Sequence, residues 1–470
     1  MIKNMKHNTT KGIIVIFISN VINMIFSLLT NFILPKFLSY ESYSVIKTFQ
    51  LYICYIGLFH LGFPDGLYLQ YGGKNFSKIN IEQLRLSIST MKIFQIVVTG
   101  IVLIISIFYS NVLLIIFAFD IFGYNMMGLF KSIYQALGEF ERYAKINQIV
   151  AFINFLINIF LILLFKTDNP YYFILGYTCV DIFSFIYIEN DFKKVNFVEK
   201  IGLRFSLNVF TKNVKEGILL LLGNLSNIVL VSMDRIFTKV LLFTIDFAQY
   251  SFAVSVQTML NVLITPLSVT LYNFLCINKD KENANKIKNI ILFFSIIVIS
   301  SIFPIRFIVE TFLTKYIDAI QVITFLFAAQ FFSIIIQCFY VNIYKAKKLQ
   351  KKYFFEVISI VVIAFLLNSF FFKLDNVKES FAVGTLASNI IWFCICQLDF
   401  KEYRLKLKQL IYIIIELAIY IFCSLNLNAL MGFLIYIVVT CILSFVLMKK
   451  EIIMVIENLN MKRPHWGKTR

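Results

Sequence analysis

Long apolar runs recur along the whole chain, separated by short polar connections. A helix that crosses a bilayer needs about 20 mainly apolar residues. About fourteen runs reach or approach that length. Their cores lie at residues 12–33, 43–61, 93–109, 112–130, 148–165, 171–188 and 217–233. The remaining cores lie at 247–267, 290–308, 320–340, 354–372, 381–397, 411–425 and 430–448. The pattern predicts an all-α integral membrane protein with about 14 transmembrane helices. The third and fourth runs almost touch at Ser110 and Asn111, which predicts a tight turn at a membrane surface.

Two long stretches resemble one another. In residues 217–257 an apolar run carries Asn224 and Asn227, then Asp234 and Arg235, then Tyr250-Ser251 and Gln257. In residues 12–50 the run carries Asn20 and Asn23, then Tyr43-Ser44 and Gln50. The interval from the Tyr-Ser pair to the Gln is the same in both. The reading is a parallel repeat of two six-helix lobes, with two further helices at the C-terminus. The expected boundaries are a first lobe over 1–190, a linker over 191–216, a second lobe over 217–400, and the added helices with a basic tail over 401–470. In the linker, LRFSLNVF (residues 203–210) predicts an amphipathic helix lying along the membrane surface.

Composition agrees with the pattern. Of 470 residues, 59% are hydrophobic and 15% are charged, against about 25% charged in a soluble domain. The net charge of +18 would suggest nucleic acid if it were gathered in one patch. It is not. With the N-terminus inside, about 35 of the 44 basic residues fall in inner connections. The outer segments hold only Lys36, Lys47, Lys166, Arg235, Lys239, Arg306, Lys315, Lys373 and Lys378. Both termini are therefore expected in the cytoplasm. Basic inner loops meet anionic lipids, and no nucleic-acid partner is implied. The outer connections are too short to fold as a domain.

The eight cysteines lie mostly within apolar runs and read as small buried hydrophobes. Cys394 and Cys396 are too close for the usual metal spacing, and no His cluster accompanies them. No phosphate-binding G-x-x-x-x-G-K-[ST] loop is present, so no cofactor is expected.

Ionisable residues within a span are costly and mark functional sites by default. Asp120 and Asp181 fall midway along the fourth and sixth runs and are candidates for ion coupling, or for pairing between helices. Glu416 lies in the added helices. Lys47 sits about one turn into the second run, as a ligand or a snorkelling side chain. The amides Asn20, Asn23, Gln50, Asn224, Asn227 and Gln257 suit either sugar contacts or interhelical hydrogen bonds. Tyr40, Tyr43, Tyr52, Tyr55 and Tyr250 offer aromatic faces.

HLGFPDGLYLQYGGK (residues 60–74), and NLSNIVLVSMDRIFTKVLL (224–242) followed by YSFAVSV (250–256), resemble a family. They are similar to the O-antigen and capsule flippases (Wzx-type) of bacterial polysaccharide biosynthesis. These belong to the multidrug/oligosaccharidyl-lipid/polysaccharide exporter superfamily. The resemblance implies two lobes around a central cavity in the cytoplasmic membrane. It implies transfer of an undecaprenyl-diphosphate-linked oligosaccharide from the inner to the outer leaflet by alternating access, without enzymatic chemistry. A glycan polymerase and chain-length machinery would be its partners. Cations would hold the diphosphate; Lys36, Lys47, Arg235 and Lys239 are available towards the outer side, and Arg85 and Lys92 near the inner end of the third run. The alternatives are an ion-coupled drug exporter of the same fold, favouring Asp120 and Asp181, and a glycan polymerase. The polymerase needs a large outer loop that this chain lacks.

Overall fold

The computed structural model describes residues 21–449, apart from 24, 73, 75–78, 196–201, 278–279 and 376. Among the described residues every regular element is helical. Helix α1 is Val21–Phe37, the described part of the first apolar run. Helix α2 (Tyr40–Cys54) passes through a 3₁₀ turn, Ile56–His60, into α3 (Phe63–Tyr71). There follow α4 (Ile81–Phe108), α5 (Val112–Ala136), α6 (Phe140–Leu163), α7 (Pro170–Val195) and α8 (Leu207–Leu241). Then come α9 (Thr244–Met259), α10 (Asn261–Ile277), α11 (Lys281–Ile299), α12 (Ile302–Phe312) and α13 (Ala319–Ile335). The last are α14 (Val341–Ala346), α15 (Gln350–Asp375), α16 (Lys378–Asp399), α17 (Leu407–Asn426) and α18 (Ala429–Leu447).

Among the described residues twelve helices are long and apolar enough to cross a membrane, and α2 with α3 passes the same test together as a pair bent by 65°. The expected all-helical membrane architecture is the one the chain adopts. Every backbone N–H and C=O must be satisfied in hydrocarbon, and helices do this within one segment. The expected turn at Ser110 is present: Ser110 takes a positive φ of 50°, and the Asn111 side chain accepts the Leu114 N–H at 3.2 Å to cap α5.

The chain divides into two compact units, Met1–Arg235 and Ile236–Arg470, with the division falling inside α8. In the first unit α5 is central, with 56% of its apolar window buried against 17% for α4 and α6. Its core gathers Phe63 and Leu67 of α3, Ile88 and Met91 of α4, Phe130 and Ile133 of α5, and Phe185 and Ile188 of α7. The outward apolar residues, among them Ile104 and Phe108, face the surrounding hydrocarbon of a bilayer. In the second unit α13 is central, with 78% of its window buried. A π-helical turn, Ile336–Tyr340, links it to α14.

Three expectations change. Residues 203–210 do not form a surface helix of their own. Leu207–Phe210 is the first turn of α8, because Phe210 turns inward to stack on Phe63 (5.9 Å) and meets Phe94 at 4.6 Å. Nor does the helix of the seventh run stop at Asp234 and Arg235. The apolar sequence continues through Ile236, Phe237 and Val240, and α8 runs to Leu241. Three of the cysteines read as buried, Cys179, Cys394 and Cys441, lie exposed on helix surfaces.

The bend between α2 and α3 is local chemistry. Leu61 and Gly62 both take left-handed φ, 51° and 80°, and Pro64 sits at the start of α3. The His60 ring Nδ1 accepts the Gly62 N–H at 3.1 Å. The bent half then lies directly on α8. A Cβ on Gly62 would stand 2.8 Å from the Gly217 carbonyl carbon, and one on Gly66 or Gly217 would overlap facing backbone. Gly217→Val is expected to cost about 1–3 kcal/mol by overpacking, read as a lower melting temperature of the purified protein in detergent. Gly100→Val, where nothing stands within 4 Å, should change stability by less than about 0.5 kcal/mol.

Candidate functional site

The first unit holds a buried cation. Tyr43, Lys47 and Gln50 recur at helical spacing and share one face of α2. Lys47 is only 5% exposed. Its ammonium donates to Gln50 Oε1 at 3.0 Å and to Asn31 Oδ1 of α1 at 3.3 Å, and lies 5.2 Å from the Tyr43 ring centre. All three partners are neutral. Among the described residues no carboxylate stands within ion-pair distance of this ammonium. A second cation, Arg235 on α8, is its electrostatic neighbour. Two contacts fix α8 beside α2: the Tyr55 and Ser232 hydroxyls share a hydrogen bond at 2.5 Å, and the glycines of the bend meet Gly217. Lys47 thus does not snorkel; burial and amide partners hold it inside.

A carboxyl pair occupies another part of the same unit. Asp120 of α5 and Asp181 of α7 are both buried, and their carboxyls lie within hydrogen-bonding reach of one another. Gly123, one turn beyond Asp120, makes this possible. A Cβ there would stand 3.0 Å from the Ile182 nitrogen and 3.2 Å from the Asp181 carbonyl carbon. Asp120 Oδ1 has no hydrogen-bond partner among the described residues. Lys131 is the cationic neighbour of Asp181. Two carboxyls this close need a proton or another cation between them.

The other expected residues scatter. Lys36 and Lys239 are exposed, over the rings of Phe37 and Phe247 at 5.9 and 5.0 Å. Lys92 is compensated by Glu189 at 2.9 Å, which Lys193 also reaches at 2.8 Å. Arg85 is half-buried and lines a cleft at the start of α4. Asn20 lies outside the described residues. Asn23 is half-buried, and Asn224 is exposed. Asn227 donates to Gly223 O of its own helix at 3.1 Å. Gln257 serves as interhelical glue in the second unit, donating to Gln330 Oε1 at 3.1 Å and Leu326 O at 3.3 Å. Glu416 accepts from Thr440 at 2.9 Å, between α17 and α18. Sequence reasoning missed Asn31 and Lys131. Asn31 lies on another helix, and Lys131 reads as part of an inner connection because α5 extends further than its apolar core. Among the described residues no cluster of His, Cys, Asp or Glu could hold a metal ion.

Lys47→Met is expected to leave the half-buried Asn31 and Gln50 acceptors without their donor. The cost should be about 1–3 kcal/mol, measured as a thermal shift.

No family model matches the chain, and no curated protein matches it by sequence. Solved structures do. The lipid II flippase MurJ in an inward closed conformation aligns over 93% of this chain and 100% of its own, with a TM-score of 0.64 and 15% identity. An inward-facing multidrug resistance MATE transporter of the MOP superfamily aligns over 81% of this chain and 95% of its own, with a TM-score of 0.61 and 13% identity. The chain has the fold that these membrane flippases and transporters share.

Proposed function

We propose that the protein is a flippase for a lipid-linked oligosaccharide, moving an undecaprenyl-diphosphate-linked repeat unit between leaflets of the bacterial cytoplasmic membrane by alternating access. The observation that carries this reading is the Lys47 site. A cation buried with only neutral partners is a charge awaiting an anion, and a diphosphate supplies one. Arg235 adds a second positive group nearby. Asn31, Gln50, Tyr43 and Tyr55 surround these cations with amide, hydroxyl and aromatic groups of the kind a glycan requires. The fold shared with a lipid II flippase supports a lipid-borne substrate. The O-antigen or capsular identity of the glycan rests on the sequence resemblance.

The test is deletion of the gene, followed by location of the accumulated lipid-linked oligosaccharide. Complete repeat units trapped on the inner leaflet, with surface polysaccharide lost, support the flippase. Complete units on the outer leaflet, unpolymerised, refute it. Lys47→Met and Arg235→Gln should each fail to restore surface polysaccharide while reaching the membrane in normal amount.

A second reading, an ion-coupled exporter of small molecules with the same fold, is favoured by the Asp120–Asp181 pair. In either reading this pair is the candidate for coupling to an ion gradient. Asp120→Asn and Asp181→Asn are expected to abolish the dependence of flux on an imposed proton or sodium gradient. Unchanged gradient dependence in both variants would remove the pair from the mechanism.

A further inference from the structure

The stretch expected to lie along the membrane as a helix has a different design. Gly202–Ser206 is non-helical and is pinned to the side of α4. The buried Ser89 hydroxyl accepts the Arg204 N–H at 2.5 Å and donates to the Arg204 carbonyl at 2.9 Å. The buried Thr90 hydroxyl accepts the Ser206 N–H at 3.2 Å. Three hydrogen bonds to fully packed side chains fix this backbone, so Arg204 is presented rather than left to wander. Its guanidinium is exposed and has no hydrogen-bond or ion-pair partner among the described residues.

Arg204 and Arg85 both line a cleft of about 700 Å³, together with Asn80, Gln83 and Ser89. That volume falls in the usual range for small-ligand sites, about 300–1,000 Å³. The cleft opens at the N-terminus of the 28-residue α4, whose first amides and dipole favour an anion. One carboxylate, Glu82, also lines it. Leu203, Phe205 and Leu207 flank Arg204 with their apolar side chains exposed, 67%, 46% and 64%. Leu207 already opens α8, so the three side chains stand where the non-helical segment meets the helix. Exposed apolar side chains beside a cation suit the boundary between the acyl region and the headgroups. The basic connections of the chain place this end of α4 on the cytoplasmic side.

We propose that this cleft binds a lipid-borne phosphate from the adjoining leaflet, with Arg85 and Arg204 as its anion ligands. Free phosphate would gain nothing from the apolar flank; a lipid headgroup gains from both. The proposal is independent of the flippase reading, because it concerns binding at the membrane surface and not transfer.

The full-length protein, purified in neutral detergent, would be titrated with three fluorescent probes: a short-chain phosphatidylglycerol, a short polyprenyl diphosphate, and a diacylglycerol without phosphate. Arg85→Gln and Arg204→Gln are each expected to weaken binding of a phosphate-bearing probe about tenfold, the double variant more, with diacylglycerol unchanged. Ser89→Val, which keeps both arginines but frees the segment, should also weaken it. The thermal melting of the Arg204 variant, altered at an exposed side chain, should match wild type. Loss confined to the polyprenyl diphosphate identifies a substrate headgroup, whereas loss of both identifies membrane phospholipid. Wild-type affinity for both phosphate probes in the double variant overturns the proposal. Competition by inorganic phosphate as strong as by either lipid overturns its lipid-borne character.

Discussion

Backbone-to-backbone contact between α3 and α8 is the constraint on which the first unit depends. Gly62, Gly66 and Gly217 leave no room for a side chain at the crossing. In lipid, where hydrophobic driving force between helices is absent, such close approach is the main source of attraction. Its consequences extend along both helices. It seats the bent half of the second span, so that Phe63, Leu67 and Tyr71 reach the core. It brings Tyr55 against Ser232 and sets Arg235 beside Lys47. The first of the two stretches that carried the family resemblance, residues 60–74, is thus one side of this crossing, and its partner Gly217 lies two turns ahead of the second stretch on the same helix.

A second constraint is the accounting of polar groups. Many intramembrane amides and hydroxyls are occupied in ways that need no ligand: Asn227 on its own helix, Gln257 with Gln330, Asn125 with Gln95 at 3.0 Å, Tyr412 with Ser444 at 2.6 Å. Lys92 and Glu189 neutralise one another. Set against these, Lys47 and the Asp120–Asp181 pair have hydrogen bonds that leave a charge or a proton still to be accounted for, as does Lys288 with the Tyr403 and Arg404 carbonyls at 2.8 and 3.3 Å. This separates functional candidates from glue more sharply than depth in the membrane does.

The all-helical membrane fold was legible in the sequence because the bilayer imposes a length on every apolar run. Local breaks were legible too, as at Ser110-Asn111 and in HLGFP. The site was legible only where its members share a helix. Tyr43, Lys47 and Gln50 could be grouped by spacing, but Asn31 joins them across helices. Asp120 and Asp181 could each be seen to be buried, yet their meeting depends on Gly123, whose role appears only once Ile182 stands opposite it. Helix ends misled most. Charged or polar residues interrupt the apolar pattern, whereas the hydrogen-bonded helix continues past them, as α8 does at both ends and α5 does through Lys131.

The cation and the carboxyl pair sit in different places in the first unit, and aromatic rings stand between the helices that carry them. Phe117, one turn before Asp120 on α5, packs edge-on against Phe49, Tyr52 and Phe59, at 6.4, 5.8 and 5.9 Å. Phe49 and Tyr52 belong to α2, which also carries Lys47. A shift of α5 relative to α7 that parts the two carboxyls must therefore move Phe117 against α2. Close-packed interiors respond to such displacement by stepping between discrete packings rather than by yielding gradually. An ion that bridges Asp120 and Asp181 and an anion that reaches Lys47 would each favour some positions of these helices over others. That shared dependence on one aromatic contact is what could link the two sites energetically, since each ligand can bias only an arrangement that the other also feels.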